Sequence, residues 1–364
     1  MGRIPGMAAA AAVPEATPAR VVWVHSSGFD TLFLANVLWP LLLLPGVTQG
    51  RETVADFWQV YFLTLPHRWV TLVLVALDPD RRGDRGWLLG GIALAVLLLV
   101  SGVWLGTDGF TCLALVDYCW NAWHFAAQHS GVLRMYSRKL GTGPRHGWVE
   151  RHGLRFFVTY AILRTASWST GWLDQESWVR SLDLAVLLVP AVLFISVLAQ
   201  CGREGVGKLA YTASVCSLYS LLLLSLSNQW GGMIVALTTA SGLFHAVEYL
   251  GVVSHYAQRR RSVGSKAPFC SLARHWAWFL ATYMASLGAL GVWLDRPYGQ
   301  FHMVWQGMNL WAALVHYSFD GMIWKLRTSP PRLLTSATPA TVRRAGRIVQ
   351  SSRLRFSSRD RGPS

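Results

Sequence analysis

The chain has 364 residues, 52% of them hydrophobic and only 14% charged, with a mean hydropathy of +0.33 and a net charge of +15. Soluble domains carry roughly 25% charged residues, so this composition excludes an ordinary soluble globular protein and points to a membrane protein. The five cysteines, Cys112, Cys119, Cys201, Cys216 and Cys270, show no CxxC spacing, which excludes a disulfide framework and a zinc knuckle.

Residues 1–28 open with an Ala/Pro-rich, low-complexity stretch that lacks the apolar core of a signal peptide, and read as a flexible lead-in. A spanning helix needs roughly 20 mostly apolar residues. On that criterion residues 29–325 form one all-α, polytopic membrane domain with about ten spans: 29–48, 54–78, 87–106, 110–133, 153–173, 182–201, 208–228, 232–257, 274–294 and 300–324. Pro66 is expected to kink the second span beside His67. The seventh and eighth spans are joined by the short turn "NQWGG" and form a helical hairpin. Residues 326–364 are rich in Ser, Pro and Arg, carry no apolar periodicity, and read as a disordered, basic cytoplasmic tail. The 19 tryptophans suit a chain that crosses two membrane–water interfaces repeatedly.

Lys and Arg fall asymmetrically. Connections after even-numbered spans hold Arg81, Arg82 and Arg85, then Arg134, Arg138, Lys139, Arg145, Arg151 and Arg155, then Arg203 and Lys208, then Arg259, Arg260, Arg261, Lys266 and Arg274. Those after odd-numbered spans hold only Arg51, Arg180 and Arg296. The positive-inside rule then predicts cytoplasmic termini in a bacterial cytoplasmic membrane. This accounts for most of the surplus charge with no nucleic-acid partner.

Ionisable groups at membrane depth cost about 2.5–3.5 kcal/mol each on insertion scales and mark function by default. Here they concentrate in alternate spans. The second carries "LPHRWVT", with His67 and Thr71 one turn apart. In the fourth, Asp117, Asn121, His124 and Gln128 follow an i, i+4, i+7, i+11 series on one stripe, while His129 points elsewhere. The eighth carries His245, Glu248 and His255 on one side, and the tenth carries His302, Asn309, His316 and Asp320. All four helices run the same way, and His67, His124, His245 with Glu248, and His316 fall at similar depth at 1.5 Å rise per residue.

Neutral imidazole is the commonest nitrogen ligand for metals, and His with carboxylate suits non-haem iron. The expected ligands are His67, His124, His245, Glu248 and His316, holding one or two iron ions. Gln128, His255, Asp320, Asp117, Asn121 and Asn309 are expected as further ligands or as supports that orient the imidazoles. Such a centre would oxidise a lipophilic substrate arriving from the bilayer, with electrons from a partner protein, because no flavin or Rossmann fingerprint is present. A single membrane histidine is as often interhelical hydrogen-bond glue as a ligand; four at one level in alternate helices weigh against that bland account. Two other classes use the same residues. A transporter or proton-conducting protein would line its path with them, and a haem b protein would take two histidines as axial ligands. Zinc fits the donors as well. Asp117 is read either as a proton-path residue or as a partner for Arg164.

The stretches "PHRWVT", "WHFAAQHSG", "FHAVEYLGVVSHY" and "HYSFDGMIWK" resemble the PH, WHxxxQ, HxxE/HY and HYxxDxxIW motifs of a poorly characterised group of bacterial multispanning membrane proteins, over about residues 60–325. The resemblance implies the same intramembrane site residues and no particular reaction. In site type the chain is more distantly similar to the Brp/Blh β-carotene dioxygenases and to membrane desaturases and hydroxylases, which implies histidine-bound non-haem iron. The HxxxH and HxxHH boxes of desaturases are absent.

Overall fold

A long apolar run can satisfy its backbone N–H and C=O groups inside a bilayer only by coiling into a helix. The computed structural model describes residues 21–44, 58–172, 177–262, 267–295 and 301–324, and among these every regular element is helical. The lead-in up to residue 20, the tail beyond Trp324, and Arg51, Lys266 and Arg296 lie outside the described residues. Six helices are long and apolar enough to cross a membrane: α1 (Gln59–Leu77), α2 (Pro79–Thr107), α5 (Ser177–Gln200), α6 (Val206–Ser227), α7 (Gly231–Arg261) and α8 (Trp276–Leu294). Three more are long enough but too polar to qualify: α3 (Thr111–Lys139), α4 (Pro144–Thr170) and α9 (His302–Ile323), with 29, 27 and 22 residues.

By length and composition six of the ten expected spans qualify. The first expected span fails outright. Ser27–Leu43 breaks into a short α turn, a π-helical segment Asp30–Leu34 and a 3₁₀ turn Trp39–Leu43. Asn36, at φ +44°, takes the left-handed conformation that ends the π segment, and Pro40 starts the 3₁₀ turn. The segment is instead pinned into the bundle. Asp30 is fully buried and accepts from the amides of Val24 and His25 and from the Tyr136 hydroxyl.

Burial sorts the rest. About 61% of the most apolar stretch of α7 and 56% of that of α6 is buried in the protein, against 11% for α2 and for α8. Helices α6 and α7 are thus the centre, and α2 and α8 present apolar faces outward, as lipid requires. Three ion pairs lie buried within the bundle, as burial of charge favours. Lys208 Nζ lies 2.6 Å from Glu150 Oε1, and Arg260 Nη2 lies 3.2 Å from Asp78 Oδ1. Arg164 Nε lies 3.2 Å from Asp183 Oδ2. The partner of Arg164 is Asp183, which also accepts from Tyr160 and Ser227, and not Asp117.

Helix α1 positions the site. Its first third, Gln59–Thr64, is π-helical, and the α-helix proper begins at Leu65 with Pro66 next. Proline has no N–H to donate, so the change of helix type falls where one backbone bond is missing in any case. The π segment packs closely on two neighbours through glycine. A Cβ at Gly288 of α8 would sit 2.5 Å from Phe62 Cδ1, and one at Gly242 of α7 would run into the Gln59 carboxamide. α1, α3, α7 and α9 meet around His67.

Candidate metal centre

Four helices each deliver one imidazole to a common point. His67 comes from the first α-helical turn after Pro66 in α1, His124 from the middle of α3, His245 from the middle of α7 and His316 from α9. Ring centroids lie 5.0 Å apart for His67–His245, 5.0 Å for His245–His124, 4.7 Å for His124–His316 and 5.1 Å for His316–His67. The four rings close a quadrilateral in which each meets the next edge to face. His67, His245 and His316 are 1%, 0% and 0% exposed, and His124 is buried.

Two of these rings are chemically unfinished. Neither nitrogen of His67 and neither nitrogen of His245 makes a hydrogen bond. The carbonyls of Leu63 and Thr64 lie beside the His67 ring but outside hydrogen-bond geometry. A buried polar atom without a partner costs about 1–3 kcal/mol, and such atoms are rare in folded proteins. The other two rings are constrained. His316 Nδ1 lies 2.7 Å from Thr71 Oγ1, and His316 Nε2 faces His124 Nε2 at 3.1 Å. Asp320, one turn beyond His316, brings Oδ2 to 3.8 Å from His316 Nε2 and 3.9 Å from His124 Nε2. The Asp320 Oδ1 is held by the Tyr249 hydroxyl at 2.9 Å and by Thr71 at 3.4 Å, and Thr71 Oγ1 lies 2.5 Å from Tyr249 Oη.

Two overlapping sets of potential metal ligands result: His67, His245 and His316, and His124, His316 and Asp320, with ligand atoms in each set within 4.8 Å of one another. Metal–nitrogen bonds of about 2.1 Å would place ligand atoms roughly 3–4 Å apart. Aromatic groups wall the cluster: Phe125 stacks on His245 at 3.7 Å, Tyr249 lies against His316 at 5.1 Å, and Tyr317 against His124 at 4.8 Å.

Glu248 lies apart from both sets. It is fully buried and accepts from Tyr211 Oη at 2.5 Å and Gln128 Nε2 at 2.6 Å, and its Oε2 is 3.1 Å from His129 Nδ1. Gln128 also donates to the His245 carbonyl at 2.9 Å. Asn121 accepts from the Tyr317 hydroxyl at 3.0 Å, and Asn309 from Trp69 Nε1 at 3.2 Å. Asp117 Oδ1 is buried without a hydrogen bond, with the Arg68 guanidinium within electrostatic range. His255 is remote from the cluster and packs edge-on against His25, with centroids 5.3 Å apart. His302 bonds Gln306 and lies 3.0 Å from Asp295.

Several residues of this region carry no obvious mark in the sequence. His129 sits five positions after His124, off the polar stripe of α3, and finds Tyr211 and Tyr219 of α6 together with Glu248. Those tyrosines stand eight apart in a run of small and apolar residues, and that spacing was the available signal. Tyr249 stands next to Glu248 in sequence and reads as an ordinary interfacial aromatic. No family model, no curated protein and no solved structure matches the chain.

Proposed function

We propose that this multi-pass, helical membrane protein is a metalloenzyme that holds one non-haem iron on His67, His124, His245, His316 and Asp320 and oxidises a lipophilic substrate. The observation that carries the reading is the pair of fully buried imidazoles, His67 and His245, with neither nitrogen hydrogen-bonded. A cation accepting their lone pairs would relieve that deficit, and neutral imidazole is built for it.

One ion is favoured over two because the candidate ligand sets share His316, whose Nδ1 is already committed to Thr71 and whose Nε2 alone is left for metal. Iron is favoured by the set His124, His316 and Asp320, two histidines and one carboxylate, which is the donor combination of non-haem iron oxygenases. A bound iron with an open position would supply dioxygen activation. The protein's part is orientation and exclusion of water. Thr71 fixes the His316 ring, Tyr249 holds Asp320, and Phe125 clamps His245. The outward apolar faces of α2 and α8 leave the bilayer as the source of substrate. Haem fits this geometry poorly, since four rings at 4.7–5.1 Å leave no slab between any adjacent pair for a macrocycle.

The test is iron, zinc and copper quantitation on the purified full-length protein beside His67→Ala and His245→Ala, each checked for helicity. The expected result is about one iron per chain, lost in both variants. Full iron in either folded variant would refute the ligand set, and stoichiometric zinc in place of iron would refute the oxidation chemistry.

A further inference from the structure

The hairpin of α3 and α4 carries a second concentration of charge, formed by residues other than those of the four-imidazole cluster. Arg134 and Arg138 stand one turn apart on α3, and Arg151 and Arg155 one turn apart on α4, which runs back alongside it. Arg134 lies within electrostatic range of Arg151 and Arg138, and Arg155 within range of Arg151 and Arg134, with no carboxylate among their charged neighbours. The nearest acidic side chain in sequence, Glu150, is turned away and committed to Lys208 and Ser137. Arg155 Nε donates to Ser130 Oγ at 2.8 Å, whereas Arg151 Nε is buried with no acceptor. Like charges gathered at this density repel, and folding tolerates them when an anion completes the set.

Aromatic residues border the same face. Trp123, Ser130, Arg134 and Arg138 follow one stripe of α3, and Trp148, Arg151 and Arg155 one stripe of α4. Trp123 and Trp148 are exposed, as is Phe156 beside Arg155, and the Arg155 guanidinium sits 5.3 Å over the Trp123 ring. Exposed indole rings mark the headgroup level of a bilayer. The guanidiniums therefore lie where a phosphodiester would, and the aromatic groups where its acyl chains begin.

We infer that Arg134, Arg138, Arg151 and Arg155 form a binding site for the phosphate headgroup of an anionic membrane lipid. Guanidinium matches a phosphate with paired, forked hydrogen bonds, and basic pockets between membrane helices take such headgroups. The site is independent of the metal and of any reaction there.

The full-length protein in nanodiscs of mixed phosphatidylglycerol and phosphatidylcholine, followed by native mass spectrometry, reads the lipids retained. Phosphatidylglycerol should be retained in preference to phosphatidylcholine, with a fall of about five-fold for each arginine removed in Arg134→Gln and Arg151→Gln. Arg259→Gln, an equal loss of charge at an exposed position elsewhere, should leave retention unchanged. Equal retention of the two lipids, or unchanged retention in a helical Arg134→Gln/Arg151→Gln double variant, would overturn the site. A parallel arm adds inorganic phosphate at millimolar concentration to detergent-solubilised protein. Thermal stabilisation by phosphate alone that matches the lipid's and vanishes in the double variant would move the assignment from a lipid to a soluble anion.

Discussion

Two buried polar clusters lie within one helical turn of each other on α7, and they are built on opposite terms. Around Glu248 the carboxylate is met by donors on both oxygens. The carboxylate takes hydrogen bonds from Tyr211 and Gln128, His129 approaches it from the side, and the Tyr219 hydroxyl pairs with Ser241. Around His245, three residues earlier, four imidazoles face one another and two of them bond to nothing. In the first arrangement the charged group is satisfied as it stands, with one neutral atom, Gln128 Oε1, left without a partner. The second becomes complete only when something else enters. Satisfaction of hydrogen-bonding capacity, more than residue type or burial, separates the polar group that holds helices together from the one that awaits a ligand.

The comparison breaks most visibly at Glu248. Glu248→Gln replaces an acceptor-only carboxylate with a group whose amide must face at least one donor, and takes from His129 the carboxylate it approaches. Each buried donor left unsatisfied in such a network costs about 1–3 kcal/mol, and here several lose their acceptor together. Chemical unfolding in mild detergent should show a loss of that order, with the metal content of the surviving folded protein unchanged. A variant that folds normally and loses its metal would instead assign Glu248 to the metal centre, where the sequence reading had placed it.

Thr71→Val should give the next largest effect, on metal and not on fold. Valine keeps the shape but removes the hydroxyl that fixes His316 Nδ1 and supports Asp320. Removing an orienting partner of a metal-bound histidine lowers metal affinity about 10–100-fold. Competition against a chelator of known strength measures it, and an affinity within two-fold of the parent would show that Thr71 does not orient the ligand.

How much of this was legible beforehand depends on whether neighbouring helices had to be known. The placement of His67, His124, His245 and His316 at one level required only a rise per residue and a direction for each helix, and the four rings do lie about 5 Å apart. The division of labour between Asp320 and Glu248 was not legible. Both carboxylates follow a histidine by about one turn, at i+4 and i+3, and only the tyrosines of α6 draw Glu248 aside. Six of the expected spans meet both the length and the apolar content of a crossing helix, and α3, α4 and α9 meet only the length, because interior polar residues lower their hydropathy. Ser27–Leu43 was misread for a different reason. Nothing in an apolar run announces that Asn36 will turn left-handed or that Asp30 will be drawn into the bundle by Tyr136.

A smaller effect of opposite sign sharpens the contrast. In metal-free protein, His245→Leu exchanges an imidazole with two unbonded nitrogens for an apolar group stacked against Phe125. Relief of the buried polar deficit should raise stability by about 1–2 kcal/mol. The same change in metal-loaded protein should lower it, because ligand binding to the folded state is lost. A destabilised metal-free variant would mean that the ring is structural after all.

The smallest effect belongs to His255, which shares a helix side with Glu248 and His245 yet touches neither cluster. Its ring lies half-buried against His25, and its Nδ1 has no hydrogen-bond partner. The ring as a whole is partly open to solvent although that nitrogen is covered, so a small turn brings it to water, which the wholly buried rings of His67 and His245 cannot reach. His255→Ala should therefore change stability by no more than about 0.5 kcal/mol and leave metal content as in the parent. An iron deficit in that variant would extend the centre a further three turns along α7. The four-ring cluster would then be one part of a longer chain of ligands, and the contrast between a complete and an incomplete polar cluster would no longer divide α7 where Glu248 does.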